Sequence, residues 1–325
     1  MIPREDVVYA FRMLLGREPE NDTVVAHYAT EMSSVAALRE LFMASAEFRD
    51  KVQDVLASRR PRAVLTGKPM QVEWQAHSAD AAGQMAALFA KVARQWQHLG
   101  ETEPHWSVLT NDSYLAGNIA QNEAAFYATG EAEMATLEAT LARHGMATQD
   151  FATCLELGCG VGRATRALSR RFARTIGVDV SAAHLAVAMQ HESPEGQAVE
   201  WKYLASMDDA ARLGRHDLMY SLIVLQHNPP PVMVRLLEDL LWQLNPGGVA
   251  YFQIPVYKAG YRFSVAEYLE SDNDCSMEMH FLPQHVLLDL IARCRCRVLE
   301  IREDDAIGGA GHSVSNTLLV QKAVY

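Results

Sequence analysis

The stretch Cys154-Leu-Glu-Leu-Gly-Cys-Gly-Val-Gly162 is an apolar segment that runs into a turn with a glycine at every second position. The next apolar run, Thr175-Ile-Gly-Val-Asp-Val180, carries Asp179 at 21 positions after Gly158. A buried strand, a glycine-rich turn and a carboxylate at the end of a second strand form the pattern of a nucleoside-binding α/β unit. The glycines let the backbone bend sharply and let a ligand approach it closely. Asp179 is then placed to accept hydrogen bonds from both ribose hydroxyls.

Glu156 indicates which nucleoside derivative this unit binds. A dinucleotide fingerprint has the spacing Gly-x-Gly-x-x-Gly and faces a pyrophosphate with a helix N-terminus. Here the spacing is Glu-x-Gly-x-Gly-x-Gly, and a carboxylate before the turn suits a ligand that bears an ammonium and a sulfonium. This stretch resembles the first motif of the class I S-adenosylmethionine-dependent methyltransferases. The resemblance covers roughly residues 105 to 322 and implies that the chain binds S-adenosyl-L-methionine and releases S-adenosyl-L-homocysteine.

The resemblance also implies which side chains contact the cofactor. After the third strand, Asp208 is expected against the adenine amino group and Met207 against its ring, although the adjacent Asp209 leaves that choice open. Val224-Leu-Gln-His227 matches a stretch that lies near the sulfonium in many relatives. The residues predicted to bind the cofactor are Glu156, Gly158, Cys159, Gly160, Gly162, Arg163, Asp179, Val180, Met207, Asp208 and Ser221.

Apolar runs alternate with helical patterns beyond residue 131, which predicts an α/β fold with a mostly parallel sheet covered by helices on both faces. The resemblance implies a Rossmann-like sheet of seven strands whose last strand is reversed. The predicted strands are Thr153–Leu157, Thr175–Val180, Val199–Leu204, His216–Val224, Val249–Ile254, 297–302 and 315–322. The predicted helices are 131–144, one from about Gly162, one from Ser181 to Met189, 231–243 and Pro283–Cys294.

Residues 1–58 are predicted to form a small all-α domain before the sheet. Its apolar residues recur at helical spacing up to Gly16, and further helices are expected at 21–31 and from Ser33 or Ser34. Leu14-Leu-Gly-Arg-Glu-Pro19 and Ser45-Ala-Glu-Phe48 resemble an uncharacterised bacterial helical domain found fused to glycan-modifying enzymes. By association, this resemblance implies that the domain docks or recruits the substrate. The alternative is a module for stability or dimerisation, in which case the protein would be a homodimer.

Residues 59–130 are predicted to form a linker, a long helix and a lid, and residues 131–325 the methyltransferase domain. A strand at 71–74 and helices at 78–99 and 117–130 are expected, each helix ending at a glycine. In similar methyltransferases the segment before the first strand folds over the cofactor as a lid. The alternative is that the aromatic residues of this segment only pack in the core. The predicted lid and substrate residues are His105, Trp106, Tyr114, Phe126 and Tyr127.

Composition and charge limit the classes of molecule that the protein is expected to bind. A net charge of −11 disfavours nucleic acid, so the acceptor is expected to be a small molecule or a glycan. No stretch approaches the ~20 apolar residues of a membrane span, and the N-terminus lacks a signal-peptide pattern. Five cysteines without a paired CxxC spacing indicate reduced thiols and a cytoplasmic protein. Asp272-Asn-Asp274 is interpreted as solvated surface, so no metal is expected.

Methyl transfer needs alignment, exclusion of water and, for a hydroxyl acceptor, removal of a proton, so a base is optional. His227 is the best-placed candidate because it follows a strand's carboxyl end, and His280 is the second; His105 and His312 are weaker alternatives. The favoured function is O-methylation of a glycan or secondary-metabolite hydroxyl. The alternatives are an N-methyltransferase, a non-catalytic sensor or scaffold that binds the same cofactor and, last, a nicotinamide-dependent oxidoreductase.

Overall fold

A computed structural model of the 325-residue chain describes residues 2–49, 68–76, 79–190, 198–272, 277–307 and 312–324. The chain separates into two compact units, residues 1–66 and 67–325.

The first unit is helical, as predicted. Asn21 and Ser34 start its second and third helices by accepting hydrogen bonds from backbone N–H groups three residues further on. Gly16 ends the first helical stretch in the left-handed conformation, with φ of 62°. The helices are α1 (Arg4–Ala10), continued by a π-helical turn (Phe11–Leu15), α2 (Asp22–Glu31) and α3 (Val35–Met43). They enclose a core of Val7, Phe11, Leu15, Val25, Leu38 and Phe42.

The second unit alternates strands and helices. Its strands are β1 (Gln71–Val72), β2 (Thr153–Leu157), β3 (Arg174–Asp179), β4 (Val199–Tyr203), β5 (His216–Ser221), β6 (Leu244–Lys258), β7 (Arg262–Phe263), β8 (Cys296–Asp304) and β9 (Ser313–Lys322). Its helices are α4 (Ala81–Thr102), α5 (Ile119–Arg143), α6 (Thr165–Ser169), α7 (Ala182–Gln190), α8 (Met207–Ala210), α9 (Pro230–Gln243), α10 (Val265–Glu270) and α11 (Gln284–Arg293).

Seven strands form one sheet in the order β4-β3-β2-β5-β6-β9-β8. The first five are parallel, and β9 lies antiparallel between β6 and β8. The predicted Rossmann-like, mostly parallel sheet with a reversed last strand is therefore confirmed. A separate parallel pair joins β1 to β7. The strand expected at His216–Val224 stops at Ser221, because Ile223 takes φ of 60° and a 3₁₀ turn follows.

Two glycines expected to end helices lie inside them instead. Helix α4 continues through Gly100, and α5 runs unbroken through Gly130, so the predicted helix ends at 99 and 130 are wrong. A Cβ at Gly100 would lie 2.6 Å from Ser181 Oγ, and one at Gly130 would lie 2.4 Å from the carbonyl oxygen of Arg163. Both glycines therefore allow close packing against the sheet unit. The boundary expected at 130/131 falls within α5.

Helices cover both faces of the sheet. Alternating residues of β2 point to opposite sides: Leu155 and Leu157 face a core shared with α9 and α11, whereas Cys154 faces a core shared with α5 and α6. Because both faces are buried, the carboxyl ends of the central strands are where the sheet leaves room for a ligand. Among the described residues, none of the helices combines the length and apolar character that a bilayer crossing demands.

Candidate active site

A pocket opens where the carboxyl ends of β2, β3 and β5 meet. Strand order reverses there, because β3 and β5 flank β2 on opposite sides, and such switch points are the usual ligand sites of α/β sheets. The pocket encloses about 940 Å³, including its opening to solvent. Seven of the predicted cofactor residues line it: Glu156, Gly158, Cys159, Gly160, Arg163, Asp179 and Val180.

The glycine-rich turn forms the narrow floor of this pocket. Gly158 and Gly160 both take positive φ, 72° and 52°, which L-residues with a side chain adopt only at a cost. A Cβ at Gly158 would lie 2.4 Å from Val224 Cγ2, and one at Gly160 would lie 2.6 Å from Val108 Cγ2. Both positions therefore require glycine for backbone conformation and for space.

Asp179 is held in a fixed orientation at the end of β3. Its Oδ2 accepts a hydrogen bond from the backbone N–H of Gly160 at 2.8 Å, and its Oδ1 accepts one from Ser181 at 2.8 Å. A carboxylate has about four lone-pair sites. Those that remain can accept two further hydrogen bonds without reorientation, which suits a vicinal diol.

Glu156 is a buried carboxyl group at the end of β2. It accepts a hydrogen bond from the hydroxyl of Thr165. Burial raises its pKa to about 8, and the charges of Glu133 and Asp179 contribute in the same direction. A carboxyl group with this pKa binds a proton at neutral pH and becomes an anion readily when a cation lies beside it. Glu156 thus fits a ligand with an ammonium or another cationic group.

A charge network supports the pocket behind Glu156. Arg163 donates from Nη2 to Glu133 Oε1 at 2.6 Å and from Nη1 to Thr129 Oγ1 at 3.1 Å. The hydroxyl of Tyr220 donates to Glu133 Oε2 at 2.8 Å, and burial raises the pKa of Tyr220 well above its usual value. Arg163 is paired with Glu133, and its charge also lowers the pKa of Glu156, against the larger effect of burial.

The outer wall of the pocket comes from residues that the sequence did not single out as site residues. Trp96 of α4, Val108 and Ser107 after it, and His184 of α7 all line the pocket. The Ser107 hydroxyl and His184 Nε2 lie 2.8 Å apart, which ties the segment before α5 to the helix after β3. Burial lowers the pKa of His184, so its ring is neutral at physiological pH. This contact is long-range and leaves no local signal in the sequence.

The predicted lid aromatics pack together beside the glycine-rich turn. Tyr114, Phe126 and Tyr127 form a small core with Val161, and the His105 ring meets Phe126 edge-on at 5.1 Å. Of these described side chains, none belongs to the pocket lining, and the half-buried Trp106 does not either. From the same segment, Ser107 and Val108 line the pocket in their place.

Two predicted adenine contacts lie outside the pocket. Asp208 has 71% of its side chain exposed and lies 3.8 Å from Arg235, and Met207 is buried in the core behind α8. Asp209 caps α8 by accepting from the backbone N–H of Ser206. Leu204 and Leu236 line this part of the pocket instead.

Two further predicted cofactor residues have structural contacts. The Ser221 hydroxyl donates to the carbonyl oxygen of Leu157 at 3.1 Å, which joins β5 to β2. A Cβ at Gly162 would lie 3.0 Å from the Trp201 ring, so this glycine leaves room for that ring under the turn.

His227 packs against Trp96, which lines the pocket, but is not itself part of the lining. The two rings meet edge-on with centroids 5.2 Å apart. His227 Nδ1 donates to the carbonyl oxygen of Glu278 at 3.0 Å, so Nε2 carries the lone pair and lies 3.1 Å from Gln226 Nε2. Burial lowers the pKa of His227 to about 4. The ring is thus a neutral imidazole held in one tautomer.

His280 lies away from the pocket, among the rings of Tyr261, Phe263 and Tyr268. Its Nδ1 is 2.8 Å from the Tyr261 hydroxyl. His312 is exposed at the start of β9. None of these three histidines is part of the pocket lining, and of the three it is His227 whose ring packs against the lining residue Trp96.

No cluster of three His, Cys, Asp or Glu residues that could hold a metal occurs in the parts of the chain that the structure describes. Of the sequence Asp272-Asn-Asp274, only Asp272 is described, and it is exposed. Four of the five cysteines are described, all as free thiols; Cys275 lies outside the described residues.

Residues 154–248 match the family model described as a methyltransferase domain. The chain contains a methyltransferase domain. The match begins in β2 and ends just before the central part of β6, so it covers the glycine-rich turn, Asp179 and the loop that carries His227. The domain belongs to the class that uses S-adenosylmethionine.

Curated relatives of this domain include the ubiquinone biosynthesis O-methyltransferases of Pseudomonas savastanoi pv. phaseolicola and Pseudomonas paraeruginosa. Each is 33% identical, over 119 and 122 residues, which cover 35% and 36% of this chain. The chain spans about half the length of these relatives, 50% and 51%.

A similar solved structure is magnesium protoporphyrin IX methyltransferase from Synechocystis PCC 6803 with bound S-adenosylhomocysteine. It has a TM-score of 0.50 and 15% identity, and the match covers 73% of this chain and all of that one. This likeness supports the Rossmann-like fold.

Proposed function

We propose that the chain binds S-adenosyl-L-methionine in the pocket at β2, β3 and β5 and transfers its methyl group to a hydroxyl of a glycan or secondary metabolite. The observation that carries the proposal is the pairing of two carboxyl groups in one pocket. Glu156 is buried with a pKa of about 8, and Asp179 is oriented by two backbone N–H groups. A ligand that has an ammonium group and a ribose diol matches both.

The cofactor supplies a methyl group activated by a positively charged sulfur. Glu156 would hold the ammonium group and Asp179 the ribose hydroxyls. Gly158 and Gly160 would let the ligand lie against the backbone, while Leu204 and Leu236 would provide an apolar wall for the adenine. Asp208 keeps its predicted adenine contact only if the side chain turns inward from its exposed position.

The chain's remaining task is to align an acceptor and exclude water. Alignment of two reactants can lower the barrier by about 7–11 kcal/mol, which is why a strong base is not required. Trp96, Ser107 and Val108 cover the pocket from the outside. His227 is our candidate for the base, because its Nε2 is unprotonated at neutral pH and its ring packs against Trp96.

The ubiquinone relatives support an oxygen acceptor, since their names state O-methylation. Their identity to this chain is modest and their coverage is partial, so the acceptor itself is part of the proposal. The N-terminal helical domain, predicted over residues 1–58, is proposed to recruit or dock the acceptor, and the motif Leu14-Leu-Gly-Arg-Glu-Pro19 supports this role. A cytoplasmic site of action and a homodimer belong to the same proposal.

Transfer of a radiolabelled methyl group tests this function. Purified protein and labelled cofactor are incubated with sets of sugars, phenols and primary amines, with Asp179→Ala as the control for cofactor-dependent transfer. Label on a hydroxyl compound with wild type alone supports the proposal. Label only on amines would instead indicate an N-methyltransferase. Binding of the cofactor without transfer to any acceptor would favour a sensor or scaffold.

A further inference from the structure

The three residues that follow β5, Leu222-Ile-Val224, form one wall of the cofactor pocket. Val224 packs against Gly158 of the glycine-rich turn. Gly158 comes two residues after Glu156, and Asp179 accepts a hydrogen bond from the backbone N–H two residues further on. A ligand held at its ammonium group by Glu156 and at its ribose by Asp179 would place the sulfonium that joins these parts over Gly158. The acceptor would therefore approach the methyl group along the wall at 222–224.

The backbone of this wall is strained at Ile223. Its φ is 60°, a conformation that is costly for an L-residue and rare for a β-branched one. The Ile223 backbone N–H donates to Gln253 Oε1 at 3.1 Å, and Gln253 Nε2 donates to Ser315 Oγ at 2.6 Å. Gln253 and Ser315 are both buried, so they hold the strained turn in place. Glycine would adopt this turn without strain, and an isoleucine that is kept there against the strain points to a function for its side chain.

The side chains of the wall are apolar and accessible. Ile223 is 37% exposed although it lines the pocket, and Leu222 and Val224 are half-buried. Trp96, also half-buried, adds an aromatic ring to the same lining. An acceptor that rests here can bury an apolar face against these side chains, and a planar aromatic ring suits both isoleucine and tryptophan.

The polar side chains of the lining have partners or proposed roles elsewhere. Two carboxyl groups are assigned to the cofactor, and others bind one another: Ser107 with His184, and Glu133 with Arg163 and Tyr220. Among the described lining residues this leaves Asn228 beside the wall, and its Nδ2 donates to the carbonyl oxygen of Val224 at 2.9 Å. A sugar would bring several hydroxyls to a wall with few partners for them, and buried hydroxyls without partners weaken binding. A ring with a single hydroxyl avoids this loss.

The proton of the acceptor favours the same class of hydroxyl. His227 is the proposed base, and burial lowers its pKa to about 4. A base this weak suits a hydroxyl that loses its proton easily. A phenol ionises with a pKa of about 10, as the tyrosine side chain does, whereas a sugar hydroxyl is far less acidic.

We propose that the wall at 222–224 is the acceptor subsite, that it takes the ring of a phenol, and that Ile223 determines this specificity. The exposed side chain of Ile223 contacts the aromatic ring and directs the hydroxyl oxygen towards the methyl group. In the transfer, that oxygen bonds to the methyl carbon, the carbon–sulfur bond breaks with its electron pair left on sulfur, and the phenolic proton passes through the proposed base to solvent. This subsite rests on the proposed function and narrows it to one class of hydroxyl.

Saturation-transfer NMR on the full chain with S-adenosylhomocysteine tests the subsite by binding rather than by turnover. The probes are 4-methylphenol and 2-naphthol, with methyl α-glucopyranoside as the sugar. Ile223→Asn removes the apolar side chain, and asparagine tolerates positive φ, so the turn is kept. Ile301→Asn is the matched control, because Ile301 is 40% exposed on β8 and does not line the pocket.

We expect wild type to saturate both phenols more strongly than the glucoside. The phenol signals should fall at least threefold in Ile223→Asn and stay unchanged in Ile301→Asn, because only the first variant loses apolar contact with the ring. Equal phenol signals from the two variants, no phenol signal from wild type, or a glucoside signal as strong as those of the phenols would overturn the proposal.

Titration of the same samples with S-adenosylhomocysteine tests the cofactor site separately. We expect the affinity of Ile223→Asn to stay within about twofold of wild type, since the side chain is assigned to the acceptor. A larger loss would assign Ile223 to the cofactor site and overturn the proposal. Lack of S-adenosylhomocysteine binding by wild type contradicts the proposed function, whereas cofactor binding without phenol signals contradicts only the acceptor subsite.

Discussion

Replacement of Glu156 by glutamine should stabilise the protein and weaken cofactor binding at the same time. Glutamine has nearly the same shape and can still accept the hydrogen bond from the Thr165 hydroxyl. It removes the carboxyl group whose pKa burial raises from 4.5 to about 8. Between these two pH values the unfolded chain releases a proton that the folded chain keeps. The stability of wild type should therefore fall as the pH rises through this window.

The size of the effect follows from the pKa shift. One pH unit corresponds to about 1.4 kcal/mol, so at pH 7 the buried Glu156 costs about 3 kcal/mol of unfolding free energy relative to an unshifted carboxyl group. Below pH 4.5 this cost vanishes, and above pH 8 it is constant. Since single domains are stable by about 5–15 kcal/mol, the effect is large enough to measure.

Urea unfolding, followed by tryptophan fluorescence, measures this change in the free energy of unfolding. All five tryptophans belong to the second unit: Trp74, Trp96, Trp106, Trp201 and Trp242. We expect the difference in unfolding free energy between Glu156→Gln and wild type to grow by about 3 kcal/mol from pH 5 to pH 8. The exposed substitution Glu270→Gln is the control. Parallel pH dependences of wild type and Glu156→Gln would refute the reasoning.

The same samples test binding. Loss of one charge-assisted hydrogen bond costs about 1.5–3 kcal/mol, so Glu156→Gln should bind S-adenosylhomocysteine about 10- to 150-fold more weakly. Unchanged affinity would show that Glu156 does not hold the ammonium group.

Three further substitutions test the other parts of the site. Asp179→Ala should cost about 1.5–3 kcal/mol of cofactor affinity per lost ribose bond, and calorimetric affinity within twofold of wild type would mean that the motif is misassigned. Gly160→Ala should weaken cofactor binding, because the new Cβ would contact Val108 and the φ of this residue is positive. Adding Val108→Ala should restore part of the affinity. No restoration would show that the contact with Val108 is not the cause of the loss. His227→Ala should lower turnover at least tenfold with little change in cofactor affinity, and unchanged turnover in this variant would remove His227 from the mechanism. Wild-type turnover should not fall from pH 8 to pH 6, because the pKa of His227 is about 4.

The sequence predicts the parts of the site that neighbours along the chain determine. The glycine turn, Glu156 before it and Asp179 at the end of the next strand lie within 24 consecutive residues. Parallel strands bring the ends of β2 and β3 together in any sheet of this class, so spacing alone locates these residues. For the same reason the strands of the parallel sheet are predicted to within a few residues.

The glycines in helices could not be interpreted from local sequence. Gly100 and Gly130 look like helix ends because glycine is a poor helix former. In the structure each lies where a helix touches another backbone or side chain, and that contact stabilises the helix through the glycine. Only the tertiary packing distinguishes these two roles.

The outer wall of the pocket was also beyond local inference. Trp96, Ser107 and His184 come from three segments that meet only after the chain folds. The prediction rested on aromatic residues of the same region, but Tyr114, Phe126 and Tyr127 pack into a small core with Val161. Asp209 caps α8, whereas Asp208, the residue predicted to contact the adenine, faces solvent.

The central claim is that the pocket at β2, β3 and β5 binds S-adenosylmethionine. Calorimetric titration of the purified chain with S-adenosylhomocysteine, with NAD in parallel, tests it most directly. We expect micromolar or tighter binding of S-adenosylhomocysteine and no binding of NAD. Binding of NAD without S-adenosylhomocysteine would contradict it, because the glycine-rich turn would then belong to a dinucleotide site.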